Sequence, residues 1–316
     1  MIFDLQINIL KNIFGIKNVL EIKQAEHGLI NMVLIITTDN GKFILKQHTN
    51  QDKQSIVYTH YIIKHANQQG IPTPLPIKYN NSEDIYVCNN TFYTLFPFIE
   101  GLHPQTNPFF KNEIIDMAKM LSNIHKLLKK TKIEFSRPYN WNINLTSTFE
   151  RIKYLEMKIV IKDDFDRYAL NYLKEQRSYL INISSDNLLN INKLPKQLIH
   201  GDYQSTNILI RNRMIVAILD WDLSIFSPPI FEVIRFINLN LKFSYFESCL
   251  FLKTYFEDNK ISMHKLKKLV KLYSIFEATD LWRHENAYIK GNEKIRCLFE
   301  PSGYISIEQK WSKLFN

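Results

Sequence analysis

The sequence predicts an α+β protein in two parts, a small β-rich part over residues 1–98 and a larger, mostly helical part over 99–316. Three observations carry this. Short runs of β-branched and aromatic residues, separated by turn signals, crowd the first hundred residues. From residue 108 onward apolar residues recur at helical spacing, and one β-hairpin over 197–222 interrupts the helical part with a group of polar side chains.

In chain order, Leu5, Ile9, Leu10 and Ile13 give a short helix that Gly15 breaks. Three strands follow over 19–25, 32–38 and 42–47, and Asp39-Asn40-Gly41 turns the last two into a hairpin. A helix over 54–69 ends at Gly70, and Pro72 and Pro74 force an extended path beyond it. Residues 84–89 and 91–98 form a second hairpin about Asn89-Asn90. Ile114, Ala118, Leu121, His125 and Leu128 mark one stripe of a long helix. Two more helical stretches lie near 149–161 and 165–180, and the Asn and Ser residues between 182 and 192 read as a loop. Pro228 and Pro229 open another helix, and several amphipathic helices fill 243–316.

The hairpin reads QLIHGDYQSTNILIRNRMIVAILDWD. Residues 208–210 form one strand, 211–213 turn it and 215–219 return, which carries Asn207 and Asp220 to the same end, beside Asp202. A hard cation such as Mg²⁺ takes oxygen ligands, and Asn207 and Asp220 offer them. Asp202 is left to accept a proton from an attacking hydroxyl. Such an arrangement suits phosphoryl transfer.

HGDYQSTN followed by ILDWD resembles the paired catalytic signature of the aminoglycoside phosphotransferase and choline kinase superfamily, which includes the homoserine kinases of the same fold. The resemblance runs from about residue 24 to 236. It implies a protein-kinase-like fold, with a nucleotide-binding lobe over 1–98 and a catalytic and substrate lobe over 99–316. It also implies ATP and Mg²⁺ as cofactors and a small hydroxylated molecule as acceptor. Lys46, ending the run FILK, falls where kinases keep a phosphate-binding lysine. A lysine there is also a common solubility device, and the downstream motifs favour the phosphate role. Gly28 and Asn31, between the first two strands, fit a phosphate-covering loop, although an ordinary hairpin turn explains them equally.

Residues 96–101 resemble the hinge of a kinase, with the Phe96 and Phe98 backbone groups expected at the adenine edge; core packing accounts for the two rings just as well. His200 is expected to brace the catalytic loop, with His125 packed against that loop. Asp222 is expected to orient its neighbours rather than bind metal, and Glu232 stands where the family has an acid supporting the loop. Gln204 occupies a position where protein kinases commonly have a lysine, which favours a small-molecule acceptor. One departure is plain. Between Asp52 and Glu83 there is no acidic residue, so the helix over 54–69 lacks the glutamate that would pair with Lys46; a polar substitute such as His60 could orient it, or the nucleotide phosphates alone could hold it. That gap motivates an alternative, a catalytically silent kinase-like binding protein.

Composition sets further limits. The net charge of +9 includes lysine clusters at 126–132 and 265–271, both in helical segments, where a solvated outer face is the simpler reading. An RNA-binding role rests on charge alone, and a polycationic acceptor would be repelled. Three scattered cysteines make neither a disulfide framework nor a zinc site. The N-terminus, with Asp4 and no basic leader, does not read as a signal peptide, and no apolar run reaches membrane length, so a cytoplasmic protein without a membrane partner is expected. Arg283, His284 and Glu285 form a possible substrate cluster, with an exposed helix end as the preferred reading. The acceptor's identity and the oligomeric state are not written in these patterns.

Overall fold

A computed structural model describes residues 3–25, 31–49, 52–79, 82–104, 108–131, 143–257 and 261–315. The chain forms two compact units, one of residues 1–137 with 198–226, the other of 138–197 with 227–316. A division after residue 98 does not coincide with these boundaries.

In the first unit, helix α1 (Asp4–Asn12) precedes strands β1 (Val19–Gln24), β2 (Met32–Thr38) and β3 (Gly41–His48); helix α2 (Lys53–Gln68) leads to β4 (Tyr86–Cys88) and β5 (Thr91–Pro97). The five strands form one antiparallel sheet in the order β1-β2-β3-β5-β4. Strand alternation sorts β3 into two faces. Leu45 joins Leu34, Ile36, Tyr93, Leu95 and, from α1, Ile9 and Leu10 in one apolar cluster. The opposite face presents Ile44, Lys46 and His48, with Thr94 directly across from Lys46. On that side His60 of α2 stands edge-on to Phe96, with ring centroids 6.1 Å apart.

Two tight turns form where the sequence places them. Asn89 and Asn90 have φ of 48° and 58°, and Asn212 and Arg213 have φ of 53° and 63°. Positive φ at both central positions is the backbone of a type I′ turn, whose twist matches the flanking strands. Helix α3 (Lys111–Leu128) buries Ile114, Ala118, Leu121, His125 and Leu128, the stripe read from the sequence. The first unit is completed by short β6 (Gln197–Ile199), the hairpin β7 (Ile208–Arg211) and β8 (Met214–Ile218), and β9 (Ile225–Ser227), which pairs with β6.

The second unit is helical: α4 (Leu145–Lys158), α5 (Asp164–Ile181), α6 (Ser185–Asn192), α7 (Pro229–Phe236), α8 (Tyr245–Tyr255), α9 (Met263–Ala278), α10 (Trp282–Tyr288), α11 (Glu293–Arg296) and α12 (Ile307–Phe315). Its apolar cluster joins Ile152, Leu155, Leu173 and Leu180 to Ala278, Leu281, Ile295 and Phe299. The expected loop over 182–192 is corrected to α6. Its polar composition concealed one fully buried anchor, Ile191, and such tertiary burial overrides weak helix propensity. No helix among the described residues is long and apolar enough to cross a membrane.

Candidate active site

The polar hairpin is fixed by backbone bonds to two distant stretches of the first unit. The extended segment after α2 accepts one: Ile218 N–H donates to Pro72 O at 2.7 Å. Leu102 and Ile210 exchange two bonds of 2.8 Å. At Gly101 the contact is so close that a Cβ would lie 3.0 Å from Leu209 Cβ and 3.2 Å from Ile210 O, so only glycine fits without displacement. Trp221, 1% exposed, adds a side-chain tie by donating Nε1–H to Thr73 Oγ1 at 3.0 Å.

His200 is the internal brace. Its Nδ1 accepts from Asp202 N–H at 3.2 Å and its Nε2–H donates to Leu219 O at 2.9 Å, a pattern that requires the proton on Nε2. The ring also lies 4.4 Å from the Trp221 ring. Neighbouring Gly201 adopts φ +85°, and a Cβ there would fall 1.9 Å from Leu223 O. Tyr203, buried in the same loop, donates its hydroxyl to Met117 O of α3 at 2.8 Å. The loop is therefore held from three directions.

On this frame Asp202, Asn207 and Asp220 come together. Asn207 Nδ2 donates to both Asp202 O and Asp202 Oδ2 at 2.9 Å, and Gln204 Nε2 donates to Asp202 Oδ2 at 3.0 Å. Two amides thus set the orientation of the Asp202 carboxylate. With its nitrogen engaged twice, Asn207 keeps Oδ1 as an acceptor to which no described residue donates. Leu219 N–H donates to Asn207 O at 2.8 Å, which brings the next residue, Asp220, beside it. Asp220 takes a left-handed φ of 56°, uncommon for a residue other than glycine and frequent where function constrains the backbone.

Lys46 reaches the same place from β3. Its Nζ donates to Asp222 Oδ2 at 2.7 Å and to Asp220 Oδ1 at 3.1 Å. Burial alone would lower its pKa, but the Asp220 and Asp222 carboxylates outweigh that and hold it above the ordinary lysine value. Asp222 Oδ2 also accepts from Asn31 Nδ2 at 2.9 Å, while Asn31 Oδ1 accepts from Thr49 N–H at 2.9 Å. Asp222, 11% exposed, anchors both Lys46 and the start of β2; Asp220, 47% exposed, keeps an outward oxygen.

The expected substitute for the absent glutamate is corrected. His60 does not reach Lys46: its Nδ1 meets Asp84 Oδ1 at 2.8 Å and its Nε2 meets Thr94 Oγ1 at 3.3 Å, which also meets His48 Nε2 at 2.9 Å. Lys64 Nζ donates to the other Asp84 oxygen at 2.6 Å. Burial would raise the Asp84 pKa, yet hydrogen bonds from His60 and Lys64 carry it down to about 2. The face of α2 beside Lys46 thus holds a closed polar network anchored by Asp84, a residue that sequence reasoning passed over.

Other expected positions divide. Phe98, the first residue past β5, donates its N–H to Lys42 O at 3.2 Å, and Phe96 lies opposite Ile44 in the ladder. Gly28 lies outside the described residues. Glu232, 2% exposed, is buried on α7 within the second unit. The preferred reading of residues 283–285 as an exposed helix end is corrected as well. His284 is 1% exposed, with Nε2–H on Ala169 O at 3.1 Å, and burial lowers its pKa to about 4. Glu285 pairs with Arg151, and Arg283 is half-buried against aromatic rings. Thr73, Gly201 and Gln204 serve the site in ways the motif alone did not reveal. The signals were a glycine between His200 and Asp202 and an amide two residues past the latter.

The oxygen-rich donor set suits a hard divalent cation. Asn207 Oδ1 and the outward Asp220 oxygen are the acceptors that described side chains leave open.

Several known proteins resemble this chain. The homoserine kinase of Methylobacillus flagellatus is 18% identical over 227 residues, 71% of this chain and 65% of that kinase. Among solved structures, spectinomycin phosphotransferase APH(9)-Ia, with ADP and spectinomycin, matches at a TM-score of 0.64 and 16% identity over 98% of this chain and 97% of its own. Amicoumacin kinase hAmiN, in complex with AMP-PNP, Ca²⁺ and Ami, matches at 0.62 and 15% identity over 97% of both chains. These place the fold with the aminoglycoside phosphotransferases, a five-stranded sheet followed by a helical lobe. The model of the phosphotransferase enzyme family matches residues 21–269, and the chain belongs to that family.

Proposed function

We propose that this protein is an ATP-dependent kinase that transfers the γ-phosphoryl group to a hydroxyl of a small molecule. The observation that carries the reading is the Asn207 side chain: its amide nitrogen fixes the Asp202 carboxylate, while its oxygen stays available beside Asp220 and Lys46. Proton acceptor, cation ligands and phosphate-binding ammonium are thereby gathered on one hairpin and one strand. The homoserine kinase relative and the spectinomycin and amicoumacin kinases all point to a hydroxylated small molecule as acceptor class.

In this reading Asp202 takes the proton of the acceptor hydroxyl as its oxygen bonds to the γ-phosphorus and the bond to the β–γ bridging oxygen breaks, releasing ADP. Asn207 and Asp220 would hold Mg²⁺, which neutralises charge on the transferring group when bound. Lys46 orients the nucleotide phosphates, and residues 1–98 supply the nucleotide lobe. The stretch at the end of β5, Phe96 to Ile99, offers the backbone edge for adenine. Gly28 and Asn31 belong to the phosphate-covering turn, and a cytoplasmic location fits the substrate.

A catalytically silent role was motivated by the missing helix glutamate. Asp222 gives Lys46 a buried carboxylate in its stead, which favours the active reading. ADP release with a panel of hydroxylated acceptors, alongside nucleotide binding, tests the proposal. Asp202→Asn should lower turnover by about 10² to 10⁴ while nucleotide affinity stays unchanged. Asp220→Ala should abolish Mg²⁺-dependent nucleotide binding. Equal nucleotide affinity in the two variants contradicts the assignment.

A further inference from the structure

The turn between α4 and α5 presents apolar side chains to solvent where a turn ordinarily carries polar ones. The stretch from Lys153 to Lys162 reads KYLEMKIVIK. Met157 is 67% exposed, Val160 67% and Ile161 53%, and Tyr154 is exposed one helical turn before them. Single exposed apolar residues are ordinary, but a contiguous group of this kind marks an interaction surface.

The exposure is not that of a frayed end. Ile159 turns inward to the cluster of Ile152, Leu155 and Leu173, with its N–H on Leu155 O at 3.1 Å. Past the turn, Lys162 N–H donates to Asp166 Oδ2 at 2.9 Å, and Asp163 and Asp166 form a capping box that starts α5. Val160 and Ile161 are therefore held outward between two anchored residues. Asp166 also gathers two other segments to this end of the helix pair. Its Oδ1 accepts from the Tyr288 hydroxyl at 2.9 Å and from Arg296 Nη1 at 3.0 Å, and the Tyr288 ring lies 6.2 Å from that of Phe299. Ile289 and Leu298, both exposed, adjoin these anchors in the chain and add to the apolar surface.

The charges left open around the turn are of one sign. Lys158, Lys162, Lys290 and Lys294 are exposed, and none of their ammonium groups meets a described carboxylate. The carboxylates nearby are engaged instead, Asp163 and Glu293 by Arg296 at 2.8 and 2.7 Å, and Asp164 by Arg167. Along 153–162 three lysines stand against Glu156 alone. Lys158 Nζ is 5.3 Å from the centroid of the Tyr154 ring, an ammonium held at the edge of apolar surface.

Lysine tips around protruding aliphatic side chains complement an anionic bilayer. The alkyl groups enter the interface, the ammonium groups stay at headgroup level, and the lysine stems bridge the two. A second copy of this chain fits less well, because a two-fold contact through the turn would bring like lysines together. The expectation of no membrane partner rested on the lack of a spanning run, and attachment at the surface needs none.

We propose that the turn over 157–162, flanked by Ile289 and Leu298, docks this protein peripherally on anionic phospholipid membranes, with Met157, Val160 and Ile161 inserted and Lys158 and Lys162 on the lipid phosphates. All of these residues belong to the second unit. The inference stands apart from the kinase reading, since it needs neither nucleotide nor acceptor.

Co-sedimentation of the full chain with vesicles tests it, comparing phosphatidylcholine alone with phosphatidylcholine containing about a third phosphatidylserine. Binding to the anionic vesicles should be about tenfold or more tighter, and it should weaken as salt rises to about 0.5 M, where charge attraction is screened. Val160→Ser with Ile161→Ser should cut the affinity about tenfold or more, because two apolar insertions are lost. Lys158→Gln with Lys162→Gln should cut it about tenfold and flatten the salt dependence. Urea unfolding checks that both pairs keep the fold; should the apolar pair unfold, the lysine pair decides. Lys267→Gln with Lys268→Gln, on α9, should leave binding unchanged. Absence of binding to anionic vesicles overturns the inference, as does a loss in the α9 pair with none in the turn pairs. A dimer in analytical ultracentrifugation that the apolar pair turns into monomer, with no vesicle binding by the wild type, also overturns it and assigns the turn to a second copy.

Discussion

Asp84 offers the sharpest quantitative test, because the network about α2 decides whether His60 serves stability or nucleotide binding. The carboxyl is 8% exposed and its pKa falls from the ordinary 3.8 to about 2. At ~1.4 kcal/mol for each tenfold change in proton affinity, that displacement corresponds to about 2.5 kcal/mol of folding stability at neutral pH. A carboxyl whose folded pKa lies below its unfolded one stabilises fully above the unfolded value and loses that contribution as pH falls through the folded one. Asp84→Asn should therefore cost about 2 kcal/mol at pH 7, and the gap between the two proteins should close between pH 4 and about 2. Urea unfolding at a series of pH values measures the gap, and nucleotide titration runs in parallel. Equal stability at pH 7, or a gap that stays constant down to pH 2, refutes the reasoning. Intact stability with weakened nucleotide binding would instead return His60 to the service of Lys46.

Two further outcomes follow from the same frame. Asp222→Asn removes the 2.7 Å partner of Lys46 and the acceptor of Asn31; nucleotide affinity should fall by about tenfold, with partial recovery in Asp222→Glu, and an unchanged Kd argues against Asp222 as the anchor. Gly201→Ala must hold alanine at φ +85° with its Cβ 1.9 Å from Leu223 O; a loss of about 3 kcal/mol in urea unfolding is expected, and a loss under 1 kcal/mol means the loop relaxes freely.

Much of the site was legible because its chemistry is local. The spacing of Asp202, Asn207 and Asp220 fixes a hairpin, and strand alternation then leaves little freedom for where they meet. Lys46 was legible for a similar reason, standing at the end of a strand whose register a tight turn sets. The partner of Lys46 was not. Asp222 is 176 residues away in sequence, and no local pattern reports a contact of that span. His60 was misread because a gap in a motif invites a replacement from the same helix, whereas the structure supplied a carboxylate from the hairpin. Residues 185–192 were misread because polar composition outweighed a single buried isoleucine. Arg283 was placed at a solvated end because adjacent charges usually lie outside, and stacking on rings from α5 and residue 299 is a tertiary property.

The first compact unit is assembled from two stretches, 1–137 and 198–226, with sixty residues of the other unit between them. During synthesis the lysine of β3 leaves the ribosome long before any acid that will neutralise it, and chain growth alone imposes that delay. A nascent chain halted before residue 220 would carry the Lys46 ammonium without the counter-charges of Asp220 and Asp222. Arrest-peptide force measurements should accordingly find the last large folding event of this unit only after residue 226 has cleared the exit tunnel, however early the hairpins of the sheet appear.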